Sequence, residues 1–152
     1  MPKIEISDLS VDYKTSHGNI HALENVEFQL EDGESIGIAG ESACGKSTLG
    51  LSIIRMIQGG NIVSGKITFG GESILDMSDS KFDGSLRWKE ISMIFQGAMN
   101  SLDPVFTIKQ QFDDLLKQHG FGSNADKITR DAISAVNLDY SVLKKYPHEL
   151  SG

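Results

Sequence analysis

One segment of the chain combines glycine, lysine and serine at a spacing that suits phosphate binding. Residues 40–47, Gly-Glu-Ser-Ala-Cys-Gly-Lys-Ser, follow the pattern G-x-x-x-x-G-K-[ST]. Glycines let the backbone bend until successive N–H groups point inward around a phosphate. Lys46 would reach the β- and γ-phosphates of a nucleotide, and the Ser47 hydroxyl would complete a Mg²⁺ coordination shell. The segment therefore predicts a nucleotide-binding phosphate loop.

This loop needs a strand before it and a helix after it, and the flanking sequence predicts both. Residues 35–39 are predicted to form a short buried strand that ends where the loop begins. Residues 46–58 are predicted to form a helix, with its apolar side chains on one face and Gly59-Gly60 as its end. This context makes a chance match to the pattern a poor explanation. We expect Cys44 to be a small filler, with a pKa lowered by Lys46 and the helix N-terminus.

The rest of the chain predicts strands first and helices last. Alternating apolar residues predict strands at 3–13, with a possible bend, and at 26–30, and Asp32-Gly33 predicts a hairpin turn. A further strand is predicted at 66–69, and residues 91–95 form another apolar run. Residues 108–119 and 125–136 fit helices, the second capped by Asn124. This order predicts an α/β fold.

Composition excludes several classes of function. The 152 residues contain 14 Lys and Arg against 21 Asp and Glu, a net charge of −7, which argues against a nucleic-acid partner. Cys44 is the single cysteine, so an internal disulfide is excluded, and the four histidines have no metal-ligand spacing. No apolar run is long enough for a membrane span, and the first residues lack the pattern of a signal peptide. A cytoplasmic protein is expected.

Four ordered motifs resemble the ATP-binding subunits of ABC transporters. These motifs are Tyr13, the phosphate loop, residues 93–96 (Met-Ile-Phe-Gln) and residues 150–152 (Leu-Ser-Gly). Residues 86–108 and 146–152 are similar to the oligopeptide, dipeptide and nickel importer branch. The resemblance implies an α/β fold with a P-loop nucleotide-binding core. It implies an N-terminal antiparallel β subdomain with that core in residues 1–95, a C-terminal helical subdomain in residues 96–152, and an incomplete core sheet.

The resemblance also assigns roles to individual residues. Tyr13 resembles the aromatic residue that stacks on adenine, although it could instead pack within its strand. Gln96 resembles the Q-loop residue that approaches Mg²⁺ and the attacking water, and Ser151 and Gly152 resemble signature residues that contact ATP on the opposite subunit. The implied catalytic residues are Lys46 and Gln96, and the implied metal ligands are Ser47 and Gln96. The implied ATP-binding residues are Tyr13, Gly40, Glu41, Ser42, Ala43, Cys44, Gly45, Lys46, Ser47, Thr48, Ser151 and Gly152.

The chain also departs from the family pattern. Ala43 replaces a customary glycine and should weaken binding if its φ is positive, and Gly97-Ala98 replaces an acidic residue and proline. The catalytic Glu and the switch His of the family have no counterpart before residue 152, which implies the N-terminal portion of a longer subunit. We therefore expect ATP binding with poor hydrolysis. We also expect marginal stability or self-association, because the strand at 35–39 would lack a neighbour.

The resemblance implies an energy-coupling subunit of an importer for peptides or a related solute. Its partners would be permease subunits, contacted through the Q-loop and the helical subdomain, and a second ATP-binding subunit. It would lie peripherally on the inner face of the cell membrane. One alternative is a short, non-catalytic nucleotide-binding regulator or competitor of a full-length subunit. An unrelated P-loop kinase or GTPase is disfavoured, because the sequence has no guanine-reading Asn-Lys-x-Asp run.

Overall fold

The computed structural model describes residues 3–150, which form two compact units that divide between Met93 and Ile94. The first unit contains β1 (Ile4–Thr15), β2 (Gly18–Leu30), α1 (Lys46–Ile53), β3 (Gly60–Phe69), β4 (Glu72–Ser73) and α2 (Asp79–Ser85). The second contains α3 (Ile108–Gln118) and α4 (Ala125–Ala135), with 3₁₀ turns at Ala98–Ser101, Gly122–Asn124, Tyr140–Lys144 and Pro147–Glu149. No helix within residues 3–150 is long and apolar enough to cross a membrane.

The four strands form one antiparallel sheet in the order β2-β1-β3-β4. The alternation predicted for β1 is confirmed, because Ile6, Leu9 and Val11 are all buried. The predicted bend is a bulge at Asp8, whose φ is +50°. Across the sheet Gly65 lies so close to Asp8 that any Cβ there would collide with the β1 backbone. The central strand β1 therefore supplies much of the core of the first unit.

Two strands are longer than the apolar alternation predicts. β2 starts at Gly18, eight residues before the predicted start at Val26, and β3 starts at Gly60, six before Lys66. Their additional residues pair with the second half of β1, for example Tyr13 with both Ile20 and Gly60. Polar residues join these strands because β1 offers hydrogen-bonding partners on both edges.

The predicted buried strand at residues 35–39 is wrong for the described chain. These residues have no strand assignment, and the side chains of Ile36 and Ile38 are 41% and 51% exposed. No strand within residues 3–150 pairs with them, so their backbone groups have no ladder to join. Asp32 and Gly33 do form a turn, closed by the Glu34 N–H donating to Glu31 O at 3.2 Å, but no hairpin follows.

Helix α1 ends at Ile53, five residues before the predicted end. Arg55 has a φ of +55°, and the N–H groups of Arg55 and Met56 donate to Ser52 O and Leu51 O. These two bonds form a Schellman motif, which satisfies the last carbonyl groups of the helix. The Arg55 guanidinium also donates to Met77 O at 2.9 Å.

The two predicted helices of the second unit are both present. α3 starts with a capping box, in which Thr107 and Gln110 satisfy each other's backbone N–H groups. Asn124 occupies the cap position of α4 as expected, but its side chain makes no capping hydrogen bond. Lys109 joins the helices, because its ammonium lies 2.8 Å from Asp113 of α3 and 3.0 Å from Asp126 of α4.

Candidate phosphate-binding site

The phosphate loop lies immediately before α1, and Gly45 is the residue that joins them. Gly45 has a φ of +93° and occupies the N-cap of the helix. A Cβ at this position would collide with Ala22 O and crowd Leu23, both on β2. Glycine is thus required for its backbone conformation and for its packing. The sequence gives no local sign of this contact, since Ala22 lies far from Gly45 along the chain.

The Lys46 side chain turns back into the loop. Its Nζ donates to Gly40 O at 2.7 Å and to Glu41 O at 2.6 Å, and it lies 3.3 Å from Cys44 Sγ. These bonds hold a positive charge within the turn of the loop. The Lys46 ammonium group is therefore positioned beside the predicted phosphate-binding backbone before a phosphate binds.

The start of α1 is suited to an anion. No side chain caps this end, and the first turn contains no acidic residue. The N–H groups of the first turn and the positive end of the helix dipole are therefore not neutralised by a carboxylate of the helix. The Ser47 hydroxyl is exposed and makes no hydrogen bond within residues 3–150, so it can serve as an oxygen ligand for a cation that accompanies the anion.

Cys44 is exposed and packs its sulfur over Gly40. The hydrogen bond from Lys46 lowers the pKa of the Cys44 thiol, an effect that burial only partly opposes. This direction confirms the expectation drawn from the sequence. Within the described residues, no histidine or carboxylate is hydrogen-bonded to Cys44.

Ala43 has a φ of +65°, which places it in the left-handed region. The expectation that this alanine weakens binding depended on a positive φ, and the structure fulfils that condition. A residue with a Cβ costs about 1–2 kcal/mol in this region, whereas glycine adopts it freely. The loop therefore carries a strained residue between its two glycines.

Tyr13 connects the sheet to the helix after the loop. Its hydroxyl lies 3.5 Å from Thr48 Oγ1, and its ring packs over Gly60 beside Ile57. The ring is half-buried against the core, so the packing role considered from the sequence is present. The structure also places Tyr13 in contact with a predicted ATP-binding residue, Thr48, which the sequence alone did not reveal.

Gln96 belongs to a different unit from the phosphate loop. Gln96 is exposed and lies in the second unit, just before Gly97, whose φ is +73°. An acidic residue, which the family pattern has there, would adopt this conformation less readily than glycine. Ser151 and Gly152 lie outside the described residues, and their predicted roles remain predictions.

Comparisons with known proteins identify the family. The sequence profile of the ABC transporter family matches residues 23–152, so the chain belongs to this family. This result excludes an unrelated kinase or GTPase. It also agrees with the phosphate loop, which lies within the matched region.

The similar curated proteins are named as ATP-binding proteins for peptide transport. The dipeptide transport ATP-binding protein DppD of Lactococcus lactis is 36% identical, over 98% of this chain and 44% of its own length. The oligopeptide transport ATP-binding protein OppD of Salmonella typhimurium is 33% identical, over 98% of this chain and 45% of its own length. The chain thus spans about half the length of the curated relatives it matches.

Solved structures show the same fold. The dimeric structure of the bacterial ABC transporter cassette MJ0796 superposes with a TM-score of 0.82 at 24% identity, covering 98% of this chain and 63% of that one. A second structure of MJ0796, bound to ADP and phosphate, gives a TM-score of 0.81 at 22% identity, covering 97% of this chain and 63% of that one. The predicted α/β fold of a P-loop cassette with an incomplete sheet is therefore confirmed.

Proposed function

We propose that this chain is the ATP-binding, energy-coupling part of an importer for peptides or a related solute. The observation that carries the proposal is the loop itself. Lys46 is held by Gly40 O and Glu41 O, and Gly45 joins the loop to an uncapped, acid-free helix start. The names of the relatives add the class of transported solute.

Different residues bind the phosphates, the Mg²⁺ and the adenine of Mg-ATP. The loop N–H groups and Lys46 hold the β- and γ-phosphates, and Ser47 supplies an oxygen ligand to Mg²⁺. When bound, Mg²⁺ would neutralise phosphate charge. Tyr13, whose hydroxyl lies 3.5 Å from Thr48 Oγ1, stacks on adenine. The role of Gln96 stays a prediction, because it belongs to the second unit.

We propose that the 152-residue chain hydrolyses ATP slowly or not at all. Phosphoryl transfer to water needs a residue that orients the attacking water, in addition to the groups that hold the phosphates. Within residues 3–150, no carboxylate or imidazole is hydrogen-bonded to Lys46 or Ser47. The loop can therefore hold ATP in its ground state without activating the nucleophile.

The second unit supports docking to other subunits. Val105 and Phe106 follow the Gln96 segment and are 69% and 43% exposed, although both are large and apolar. Exposed apolar side chains near one another indicate an interaction surface. We propose that this surface contacts the permease at the inner face of the membrane. We further propose that ATP binding pairs the chain with a second ATP-binding subunit, since the MJ0796 structures are named as dimeric.

Displacement of a fluorescent nucleotide tests the binding proposal. A fluorescent ATP analogue is bound to the chain with Mg²⁺ and then competed with ATP, tripolyphosphate or adenosine. We expect ATP and tripolyphosphate to displace it and adenosine to be at least tenfold weaker, because the loop contacts phosphate. Displacement by adenosine alone would contradict a site built on the phosphate loop.

Release of inorganic phosphate tests the hydrolysis proposal separately. We expect the wild-type chain to bind ATP but to release phosphate at the rate of a Lys46→Ala variant. Turnover that is present in the wild type and absent in K46A would show that these residues suffice for catalysis. That result would overturn the proposed deficiency while leaving the binding proposal intact.

A further inference from the structure

A cavity of about 220 Å³ lies within the second unit, where α3, α4 and the 3₁₀ turn Tyr140–Lys144 meet. Its lining residues all fall between Lys109 and Lys144, so it belongs to the helical unit alone. Drug-sized ligands occupy roughly 300–1,000 Å³. This cavity is therefore too small for a nucleotide and suits a small organic molecule.

The charges around the cavity favour an anion. Lys109 is already neutralised by Asp113 and Asp126, which raise the pKa of its ammonium group. Arg130 and Lys144 also line the cavity, and neither forms an ion pair within the described part of the chain. Arg130 lies near Asp126, but its guanidinium packs over the Tyr140 ring at 5.8 Å. Two cations without an ion-pair partner among residues 3–150 thus line the cavity, beside the paired Lys109 and Asp126, in a chain whose net charge is −7.

A buried hydroxyl at the same place lacks a partner. Thr129 borders the cavity and is 1% exposed, and its Oγ1 has no hydrogen-bond partner among residues 3–150. Buried hydroxyl groups are nearly always hydrogen-bonded in folded proteins, so this one needs an explanation. A ligand oxygen entering the cavity would provide the missing partner.

We propose that this cavity binds a small organic acid. Arg130 and Lys144 hold its carboxylate, the Thr129 hydroxyl donates to one of its oxygens, and Tyr140 and Leu143 contact its apolar body. An organic acid suits these walls better than inorganic phosphate, because a ring and an aliphatic side chain line much of the cavity. The site is independent of the proposed ATP binding.

A titration with 3-phenylpropionate, followed by ¹H–¹⁵N NMR of the full chain, tests the proposal. We expect saturable shifts for α3, α4 and the turn Tyr140–Lys144. The neutral amide 3-phenylpropionamide should bind about tenfold more weakly, because it loses the charge-assisted bonds. Inorganic phosphate should also bind more weakly, because it lacks the apolar body. Equal binding of acid and amide, or no shifts with either, would overturn the proposal.

Two substitutions in α4 test whether 3-phenylpropionate binds in this cavity. Arg130→Gln should weaken binding of 3-phenylpropionate about tenfold, since hydrogen bonds to charged groups are the stronger class. Lys127→Gln, which removes a cation from the same helix outside the cavity, should change it less than twofold. Equal losses in R130Q and K127Q would show only a general charge effect and would contradict the assignment.

Thr129→Val separates a ligand role from a structural one. Valine has nearly the same shape without the hydroxyl, so the melting temperature should rise while affinity for 3-phenylpropionate falls. A lower melting temperature with unchanged affinity would assign the hydroxyl to the fold and contradict the proposal. Lys46→Ala should leave 3-phenylpropionate binding unchanged, so failure of the phosphate loop cannot be mistaken for failure of this cavity.

Discussion

Two apolar segments of the first unit differ in burial and in strand pairing. In β3, Ile67 is fully buried, because β1 pairs with this strand and the core covers its inner face. In residues 35–39, Ile36 and Ile38 are 41% and 51% exposed, and the segment has no strand partner within residues 3–150. Both segments contain isoleucine, which favours strands. The difference shows that a neighbouring strand contributes to whether an isoleucine-containing segment becomes a buried strand.

The largest effect is expected when one isoleucine in each segment is truncated to alanine. Ile67→Ala should lower the free energy of unfolding by about 2–5 kcal/mol, because it leaves a cavity in the core. Ile38→Ala should change it by less than about 0.5 kcal/mol, because the side chain is half exposed already. Chemical denaturation followed by circular dichroism measures both. If I67A unfolds the chain, Ile67→Val should still cost more than I38A.

Similar losses in I67A and I38A would contradict the comparison. They would show that residues 35–39 are covered in solution, either by self-association or by another part of the chain. Light scattering at two protein concentrations would identify self-association, which the sequence predicts as one consequence of an unpaired strand.

The phosphate loop gives the next test, because Gly45 in the loop is crowded and Gly37, which precedes the loop, is not. Gly45→Ala should weaken nucleotide binding by at least tenfold, since a Cβ there meets Ala22 O and the φ of +93° disfavours alanine. Gly37→Ala is the matched control, because nothing lies within 4 Å of a Cβ there and its φ is not positive. Equal effects in G45A and G37A would show that the contact with β2 does not hold the loop.

Sequence patterns predicted the elements with strong local signals. The alternation in β1, the start of α1 at Lys46 and the helices α3 and α4 all follow from residue spacing. The end of α1 did not, because the residue with a positive φ in its Schellman motif is Arg55, whereas glycine is the usual signal at that position. The prediction of a buried strand at 35–39 failed because strand pairing is not a local property.

In the candidate site, too, local features could be predicted from the sequence and contacts between distant residues could not. The identity of the loop and the lowered pKa of Cys44 could be predicted from neighbouring residues. The support of Gly45 by Ala22 and the contact of Tyr13 with Thr48 required the three-dimensional arrangement. Whether Ala43 is strained depended on a dihedral angle that the sequence does not specify.

A smaller effect is expected from relieving the strain at Ala43. Ala43→Gly should tighten Mg-ATP binding about fivefold, which corresponds to about 1 kcal/mol, because glycine accepts the φ of +65° without steric cost. Ala39→Gly is the control, since Ala39 does not have a positive φ and gains only backbone freedom. Weaker binding in A43G than in the wild type would show that alanine holds the loop in its binding conformation.

The smallest effect concerns the reactivity of Cys44. Because Lys46 lowers the thiol pKa, the rate of maleimide labelling should rise with pH and level off at a lower pH than for an ordinary cysteine. Lys46→Gln should move this midpoint to higher pH, and Mg-ATP should protect the wild-type thiol. An unchanged midpoint in K46Q would contradict the contact between Lys46 and Cys44.

Calorimetric titration of Mg-ATP into the 152-residue chain tests the central claim most directly. We predict saturable binding by the wild type, loss of binding in Lys46→Ala, and retained binding in Lys66→Ala, which removes an exposed lysine from β3. This result would show that the loop binds nucleotide although residues 35–39 have no strand partner. Absence of binding by the wild type, or equal binding by K46A, would contradict a functional phosphate loop in this chain.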